Sequence, residues 1–131
     1  MLALQRATHA TLHALTTQLA SLHFTGSEIN TMANLTGGPR TVTELASVTG
    51  SRPTTLTSVL DRLESRGQIT RGSRRGDRRA VVVELTANGR RSGLTIRQAL
   101  DDLERRAVGR MPSAQKAALR AGLQALTEVT A

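Results

Sequence analysis

The stretch from Ile69 to Leu85 constrains the fold most, because there a helical sequence pattern gives way to a strand pattern. Ile69–Gly72 and Ala80–Leu85 have strand character, and Gly72–Asp77 between them supplies turn-forming residues. The segment therefore predicts a β-hairpin. Five arginines and one aspartate lie between Arg71 and Arg79, which gives this hairpin a net charge of +4.

Helices are predicted before the hairpin. Leucines at helical spacing indicate a first helix from Leu2 to Leu22. Thr25–Glu28 and Thr41–Glu44 match capping boxes, in which a Thr hydroxyl and a Glu carboxylate satisfy free backbone donors at a helix start. They predict the second and third helices, and Gly37–Pro39 ends the second.

The third and fourth helices have the arrangement of a helix-turn-helix unit. The third is short, with Val42, Leu45 and Val48 facing inward, and it stops near Gly50. A fourth helix follows from 51 to 66, with Ser51 as its cap and Pro53 in its first turn. Its apolar residues, Leu56, Val59, Leu60 and Leu63, recur at helical spacing. A tight glycine-containing turn between two helices is typical of this unit.

Two more helices are predicted after the hairpin, one starting at Thr86 and one near Pro112. The predicted fold class is mainly α with a small β-hairpin wing: a winged helix-turn-helix with N- and C-terminal dimerisation helices. At 131 residues the chain is long enough for a single domain. We expect a DNA-binding lobe at 26–88 and dimerisation helices at 1–25 and 89–131.

The dimer prediction rests on the apolar stripes of the terminal helices. Leu12, Leu15 and Leu19 form one stripe, and Leu119, Leu123 and Leu126 form the other. Together they are more apolar surface than one small winged helix can bury by itself. A share in a homodimer interface is favoured, and the alternative is an ordinary core within one chain.

The charge balance points to nucleic acid. Eighteen Lys and Arg oppose ten Asp and Glu, which gives a net charge of +8, and 17 of the 18 cations are arginine. Nucleic acid is the first partner to consider and an anionic membrane surface the second. The chain has one Phe and no Trp or Tyr, so it lacks the rings on which single-stranded binders stack bases.

Several classes of protein are disfavoured by what the sequence lacks. There is no cysteine for a disulfide, a thiolate metal site or a redox switch. The first residues do not resemble a signal peptide, and no apolar run approaches the roughly 18 residues of a membrane span. We therefore expect a cytoplasmic protein without a membrane partner.

The fourth helix has a polar face suited to the DNA major groove. Small hydroxyl side chains dominate its N-terminal half, and hydroxyls and Thr methyls can contact base edges. The alternative is a merely solvated polar face. The arginine-rich hairpin favours DNA, because a narrow minor groove has a negative potential that attracts arginine. The predicted DNA-binding residues are Ser51, Arg52, Thr54, Thr55, Thr57, Ser58, Arg62, Arg71, Ser73, Arg74, Arg75, Asp77, Arg78 and Arg79.

Three segments in order resemble the MarR family of winged-helix transcriptional regulators: Asp61–Gly67, Asp77–Arg79 and Val83–Gly89. The resemblance implies a homodimer on a palindromic operator. It also implies that Asp77 helps to hold the wing and that Arg79 enters the minor groove, with Arg74, Arg75 and Arg78 as further candidates. Many members release DNA on binding a small, often phenolic, ligand, whereas this chain has few of the aromatic residues that often line such pockets.

Other candidate sites are weak. His9 and His13 lie at i and i+4, a spacing that can place two imidazoles on one metal, but no Cys or acidic cluster completes a set, and exposed or interface histidines are favoured. His23 lies nearby in the sequence, but it too lacks a Cys or acidic cluster to complete a metal site. No catalytic constellation is present, so we predict neither an enzyme nor a cofactor. Asp61 and Glu64 are expected to pair with Arg62, Arg66 or groups of a neighbouring subunit, or to select against certain bases, rather than to perform acid–base chemistry.

The sequence thus predicts a dimeric, sequence-specific regulator of transcription, a repressor, that binds double-stranded DNA and responds to a small-molecule effector. One alternative is an architectural DNA-coating protein of the same fold with weak sequence preference. Another is a protein–protein interaction module whose basic wing binds an acidic partner.

Overall fold

The computed structural model describes residues 2–74 and 76–130, without the side chains of residues 74, 77, 78 and 130. Its helices and strands are α1 (Leu2–Gln18), α2 (Gly26–Leu35), β1 (Arg40–Thr41), α3 (Val42–Thr49), α4 (Pro53–Ser65), β2 (Ile69–Arg74), β3 (Asp77–Leu85), α5 (Ala87–Val108) and α6 (Ser113–Thr130). The predicted fold class, mainly helical with a β-wing, is confirmed. The chain forms two compact units, residues 1–100 and 101–131.

The first helix is shorter than predicted. α1 ends at Gln18, and a 3₁₀ turn follows at Ala20–Leu22. This turn closes with His23 in the left-handed conformation, at φ 55°. The change of direction lets Phe24 be buried at the start of the next segment. Leucine spacing alone could not distinguish this tighter turn from the end of an α-helix.

The two capping boxes differ. At α3 both bonds form: the Glu44 amide donates to the Thr41 hydroxyl, and the Thr41 amide donates to the Glu44 carboxylate. At α2 the Glu28 amide donates to the Thr25 hydroxyl at 3.2 Å, but the Glu28 carboxylate accepts from that hydroxyl rather than from a backbone amide. The predicted box is therefore wrong in its second half, because the Glu28 carboxylate is buried among other partners.

The cap of α4 also differs from the prediction. The helix begins at Pro53, and Arg52 takes the cap position without a side-chain hydrogen bond. Ser51 lies one residue too early, and its hydroxyl accepts from the Thr49 hydroxyl at 3.0 Å instead. Proline at the first helical position fits, because no intrahelical partner exists there for an amide hydrogen.

The core of residues 1–100 is built around α2 and α4. α2 packs against α1, α3, α4 and β3, and α4 also packs against β2. Ile29, Met32 and Leu35 of α2 are buried, as is Leu45 of α3. Val48, predicted to face inward, is exposed, because the short α3 turns only its middle toward the core. In α4 the predicted stripe, Leu56, Val59, Leu60 and Leu63, is at most 1% exposed.

The hairpin is part of a three-stranded antiparallel sheet in the order β1-β3-β2. β1, absent from the sequence prediction, pairs Arg40 with Val83 and Thr41 with Val82. The paired strands are longer than predicted and reach Arg74 and Asp77, so the turn is shorter than Gly72–Asp77. Gly76 at the turn has a φ of 86°, a conformation that glycine adopts at little cost.

Contacts at the start of α5 explain the threonine and the glycine of the Leu85–Gly89 segment. The Thr86 hydroxyl accepts from the Gly89 amide at 3.0 Å, and the Thr86 amide donates to the Gln68 carbonyl. A Cβ atom on Gly89 would lie 1.9 Å from that carbonyl oxygen. Glycine is therefore required where α5 crosses the end of the segment that follows α4.

None of the described helices is long and apolar enough to cross a membrane.

We expect Gly89→Ala to lower the free energy of unfolding by about 1–3 kcal/mol, because the methyl group meets rigid backbone. Gly122→Ala is the matched control, because nothing lies within 4 Å of its Cβ position. Replacing a helical glycine by alanine there should raise the free energy of unfolding by up to about 1 kcal/mol. Urea denaturation followed by circular dichroism measures both. Equal effects of the two substitutions would contradict the close approach.

Candidate nucleic-acid interface

The exposed side of α4 presents the predicted hydroxyl residues together. Because the apolar stripe of α4 is buried, Thr54, Thr55, Thr57 and Ser58 lie on the solvent side of its first half. The Thr57 hydroxyl donates to the Pro53 carbonyl at 2.9 Å, which leaves its methyl group and an acceptor lone pair available to a ligand. This face is small and uncharged, and side chains of this kind allow a helix to approach base edges closely.

The start of α4 combines a cation with a helix N-terminus. Arg52 is exposed at the cap position, and the first turn contains no acidic residue. Free backbone amides and the helix dipole favour an anion at this end. Ser51, also predicted to bind DNA, is half-buried beside it and bonded to Thr49.

Arg71 of β2 pairs with the acidic residues of α4. Its guanidinium donates to the Asp61 carboxylate at 2.7 Å and to both Glu64 carboxylate oxygens at 3.2 Å. These hydrogen bonds raise the pKa of Arg71 and lower the pKa of Glu64. The expected pairing of Asp61 and Glu64 with Arg62 or Arg66 is therefore wrong. Arg71 is predicted to bind DNA, and in the structure it joins the wing to α4.

Arg62 and Arg66 instead hold a buried carboxylate. The Glu28 side chain is 4% exposed, and its two oxygens lie 3.4 Å from Arg62 Nε and Arg66 Nη1. Arg62 stays half exposed at the edge of the hydroxyl face. Sequence reasoning missed this cluster, because Glu28 occupies a capping-box position that explains it locally. The available signal was the spacing of Arg62 and Arg66, which lie four residues and thus about one helical turn apart.

The wing brings a second set of predicted residues to α4. Thr57, Arg71 and Arg79 line one groove of about 440 Å³ together with the start of α3 and with Ala80 and Val81. Arg79 and Ser73 are exposed. The predicted roles of the side chains of Arg74, Arg75, Asp77 and Arg78 lie outside the described residues.

The histidines do not form a site with the residues described. His9 and His13 are exposed one turn apart on α1, and His23 lies at the turn after it. In residues 2–74 and 76–130, no group of three side chains could hold a metal ion.

The comparisons agree with this geometry. The MarR family model matches residues 36–81, which span β1 to the first half of β3. No curated protein sequence matches the chain. Solved structures share its fold over almost its whole length. The predicted resemblance to the MarR family is therefore confirmed, together with the winged helix-turn-helix fold.

Three of these structures illustrate the likeness. NadR in complex with 4-hydroxyphenylacetate has a TM-score of 0.89 and 22% identity, over 98% of this chain and 92% of that one. A mutant MarR from E. coli complexed with operator DNA has a TM-score of 0.76 and 24% identity, over 95% and 90%. CouR from Rhodococcus jostii bound to p-coumaroyl-CoA has a TM-score of 0.82 and 20% identity, over 95% and 88%.

The ion pair between Arg71 and Glu64 should make the stability of the fold depend on pH. Because Arg71 lowers the pKa of Glu64, the pair stabilises the fold fully at pH values above the ordinary carboxyl pKa. This stabilisation is lost as the pH falls through the lowered pKa of Glu64. We expect Arg71→Gln to raise the Glu64 pKa, as followed by carboxyl NMR. Arg62→Gln is the control, because Arg62 pairs with Glu28. An unchanged Glu64 pKa in Arg71→Gln would refute the pairing.

Proposed function

We propose that this MarR-like chain is a sequence-specific regulator of transcription that binds double-stranded DNA as a homodimer and acts as a repressor. The observation that carries the proposal is the hydroxyl face of α4 beside an arginine-rich wing. Both belong to the matched family segment, which spans residues 36–81. The operator DNA in the related MarR structure supports the same use of this fold.

In the proposed complex α4 lies in the major groove. Thr54, Thr55 and Ser58 are exposed on its N-terminal half, from which recognition helices read bases. Arg52 and the helix N-terminus favour a phosphate beside them. Arg62, half exposed further along the helix, can reach a phosphate or a guanine edge while its Nε atom stays near Glu28.

The wing reaches the neighbouring minor groove in this arrangement. Arg79 is exposed and lies on the groove that β3 shares with α4. Arg74, Arg75 and Arg78 belong to the same hairpin and add charge that an anionic groove relieves. Arg71 contributes indirectly: its single positive charge is shared by Asp61 and Glu64 and reduces the net negative charge of these residues on the helix that approaches DNA.

The homodimer is supported by apolar surface that one chain leaves uncovered. Leu15 and Leu19 are buried within the chain, but Leu12 is 43% exposed. Within residues 101–131, Leu119 and Leu123 are 43% and 46% exposed and line a groove of about 510 Å³ with Val108. A second copy would bury such stripes, and a two-fold dimer matches an inverted repeat on DNA.

An effector that releases DNA is part of the proposal. A groove of about 530 Å³ lies between the end of α2 and the first half of α5, lined by Thr36, Gly37, Leu85, Arg90, Gly93, Leu94 and Arg97. Two arginines and no acidic residue line it, which suits a small anion with an apolar part. The ligands of NadR and CouR, 4-hydroxyphenylacetate and p-coumaroyl-CoA, each combine an apolar ring with negative charge.

One observation favours a second candidate function. The exposed first half of α4 contains no Asn, Gln or Lys, and these side chains discriminate bases by hydrogen bonding. An architectural protein that coats DNA with weak sequence preference would use the same fold. The two functions differ in specificity, since regulators bind their site about 10³-fold or more tighter than other DNA.

Selection from random duplexes at physiological salt tests the proposed function. We expect enrichment of an inverted repeat whose half-sites are about 10 base pairs apart or a multiple of this, because two recognition helices enter successive major grooves. Binding should weaken linearly with the logarithm of salt concentration. Binding without enrichment would favour the architectural protein, and no binding at all would refute both functions.

Two substitutions separate the roles of the wing and the helix. Arg79→Ala should weaken binding to all duplexes and reduce the salt slope by about 0.9. Thr54→Ala should change the preferred sequence with little change in slope, because base contacts specify and phosphate contacts position. Ser27→Ala, which removes an exposed hydroxyl from α2 outside the predicted DNA-binding residues and dimerisation helices, is the control. Titrations of the selected duplex by fluorescence anisotropy measure each effect.

Two different results would contradict the proposed roles of the wing and of α4. If Arg79→Ala binds as the control does, the wing does not enter the DNA. If Thr54→Ala keeps the wild-type sequence preference in a repeated selection, base recognition lies elsewhere on the protein.

A further inference from the structure

Arg66, directly after α4, joins this helix to the turn that follows α1. Its Nη2 donates to the Leu22 carbonyl at 2.7 Å, and its Nη1 donates to the His23 carbonyl at 2.9 Å. Nη1 also lies 3.4 Å from the buried Glu28 carboxylate. The guanidinium stacks over the Phe24 ring, 4.1 Å from the ring centroid. We call these contacts of Arg66 with Leu22, His23, Phe24 and Glu28 the Arg66 anchor.

The chemistry of the anchor requires arginine. A planar guanidinium offers donors in a fixed fork, which matches two consecutive carbonyls and a carboxylate while its face covers a ring. A lysine ammonium is a point donor and cannot satisfy this arrangement. The two carbonyls end a 3₁₀ turn in which His23 has a left-handed φ of 55°, so the cation also stabilises an otherwise unfavourable conformation.

The anchor is well separated from the proposed base-reading face. Arg66 is eight residues beyond Ser58, which corresponds to about 12 Å along a helix. Its side chain points to the segment after α1 through the contacts above. Arg66 is therefore suited to set the direction of α4 and not to touch bases.

The partner segment of the anchor matters because α1 is a predicted dimerisation helix. Leu15 and Leu19 hold the end of α1 in the core, and the 3₁₀ turn follows directly at Ala20–Leu22. A dimer contact made by the exposed side of α1 is thus connected to α4 through Arg66. The Glu28 carboxylate adds a second connection, since it also receives Arg62.

We propose that Arg66 is a positioning residue for DNA recognition, which fixes the end of α4 to the turn after α1 and thereby sets the half-site spacing that the dimer accepts. This role rests on the proposed function, because a spacing preference exists only for two recognition helices on one duplex. Local affinity of each α4 for its half-site does not depend on the anchor, whereas the distance and angle between the two helices do.

The test compares wild type, Arg66→Gln, Arg66→Lys and the control Ser27→Ala, which changes an exposed side chain of α2 outside the predicted DNA-binding residues and dimerisation helices. Each is titrated with the selected inverted repeat, with repeats whose spacer is one base pair longer or shorter, and with a duplex that holds a single half-site. Hydrogen exchange of the Leu22 and His23 amides is measured in the same samples without DNA, because these amides close the 3₁₀ turn.

We expect both Arg66 variants to bind the best-spaced repeat about threefold to thirtyfold more weakly. They should also discriminate less among spacers, bind the single half-site as wild type does, and exchange the two amides faster. Arg66→Lys keeps the positive charge beside Glu28 and so remains informative if Arg66→Gln is too unstable to assay. The control should match wild type in every measurement.

Two results would overturn the positioning role. If the variants keep the wild-type spacer preference while the wild type binds an inverted repeat, the anchor does not position α4 and the proposed function stands. If the variants lose affinity equally for the repeat and the single half-site, Arg66 acts locally at the DNA or on stability. If the wild type itself prefers no repeat, the proposed function fails and the positioning role fails with it.

Discussion

The burial of one side of α4 is the constraint on which the rest of the structure depends. Leu56, Val59, Leu60 and Leu63 are at most 1% exposed, and each such side chain contributes roughly 1.5–3 kcal/mol when it leaves water. This stripe fixes the rotation of the helix about its axis. The small hydroxyl side chains at 54, 55, 57 and 58 must then face solvent, which gives the chain a surface shaped for a groove.

Ion pairs set the direction of the same helix and its charge. Arg71 draws Asp61 and Glu64 toward β2, and Arg66 ties the C-terminal end of α4 to the turn after α1. Glu28, buried beneath α4, receives Arg62 and Arg66, because a buried carboxylate without partners would be costly. The acidic residues of α4 are thus paired on the side of the wing. The exposed cationic and hydroxyl groups of α4 remain accessible to a ligand.

The sequence was sufficient where local chemistry decides the structure. The helices, the Thr41–Glu44 capping box and the hairpin follow from spacing and turn residues. It was insufficient where distant residues compete for the same group. Ser51 bonds to Thr49 rather than capping α4, Glu28 leaves its capping role for two arginines, and Arg71 takes the acids expected to pair within the helix. β1 is two residues long, too short for any period-2 pattern, and it forms only because β3 offers a free edge.

Dimethyl sulfate footprinting on the selected duplex tests the central claim, that α4 and the wing read DNA together, most directly, because the reagent methylates guanine N7 in the major groove and adenine N3 in the minor groove. We expect protection of guanine N7 in two major-groove segments about one helical turn apart or a multiple of this, each flanked by protection of adenine N3 in the minor groove. The minor-groove protection should disappear in Arg79→Ala while the major-groove protection remains. Uniform protection along the duplex, or minor-groove protection that is unchanged in Arg79→Ala, would contradict the account.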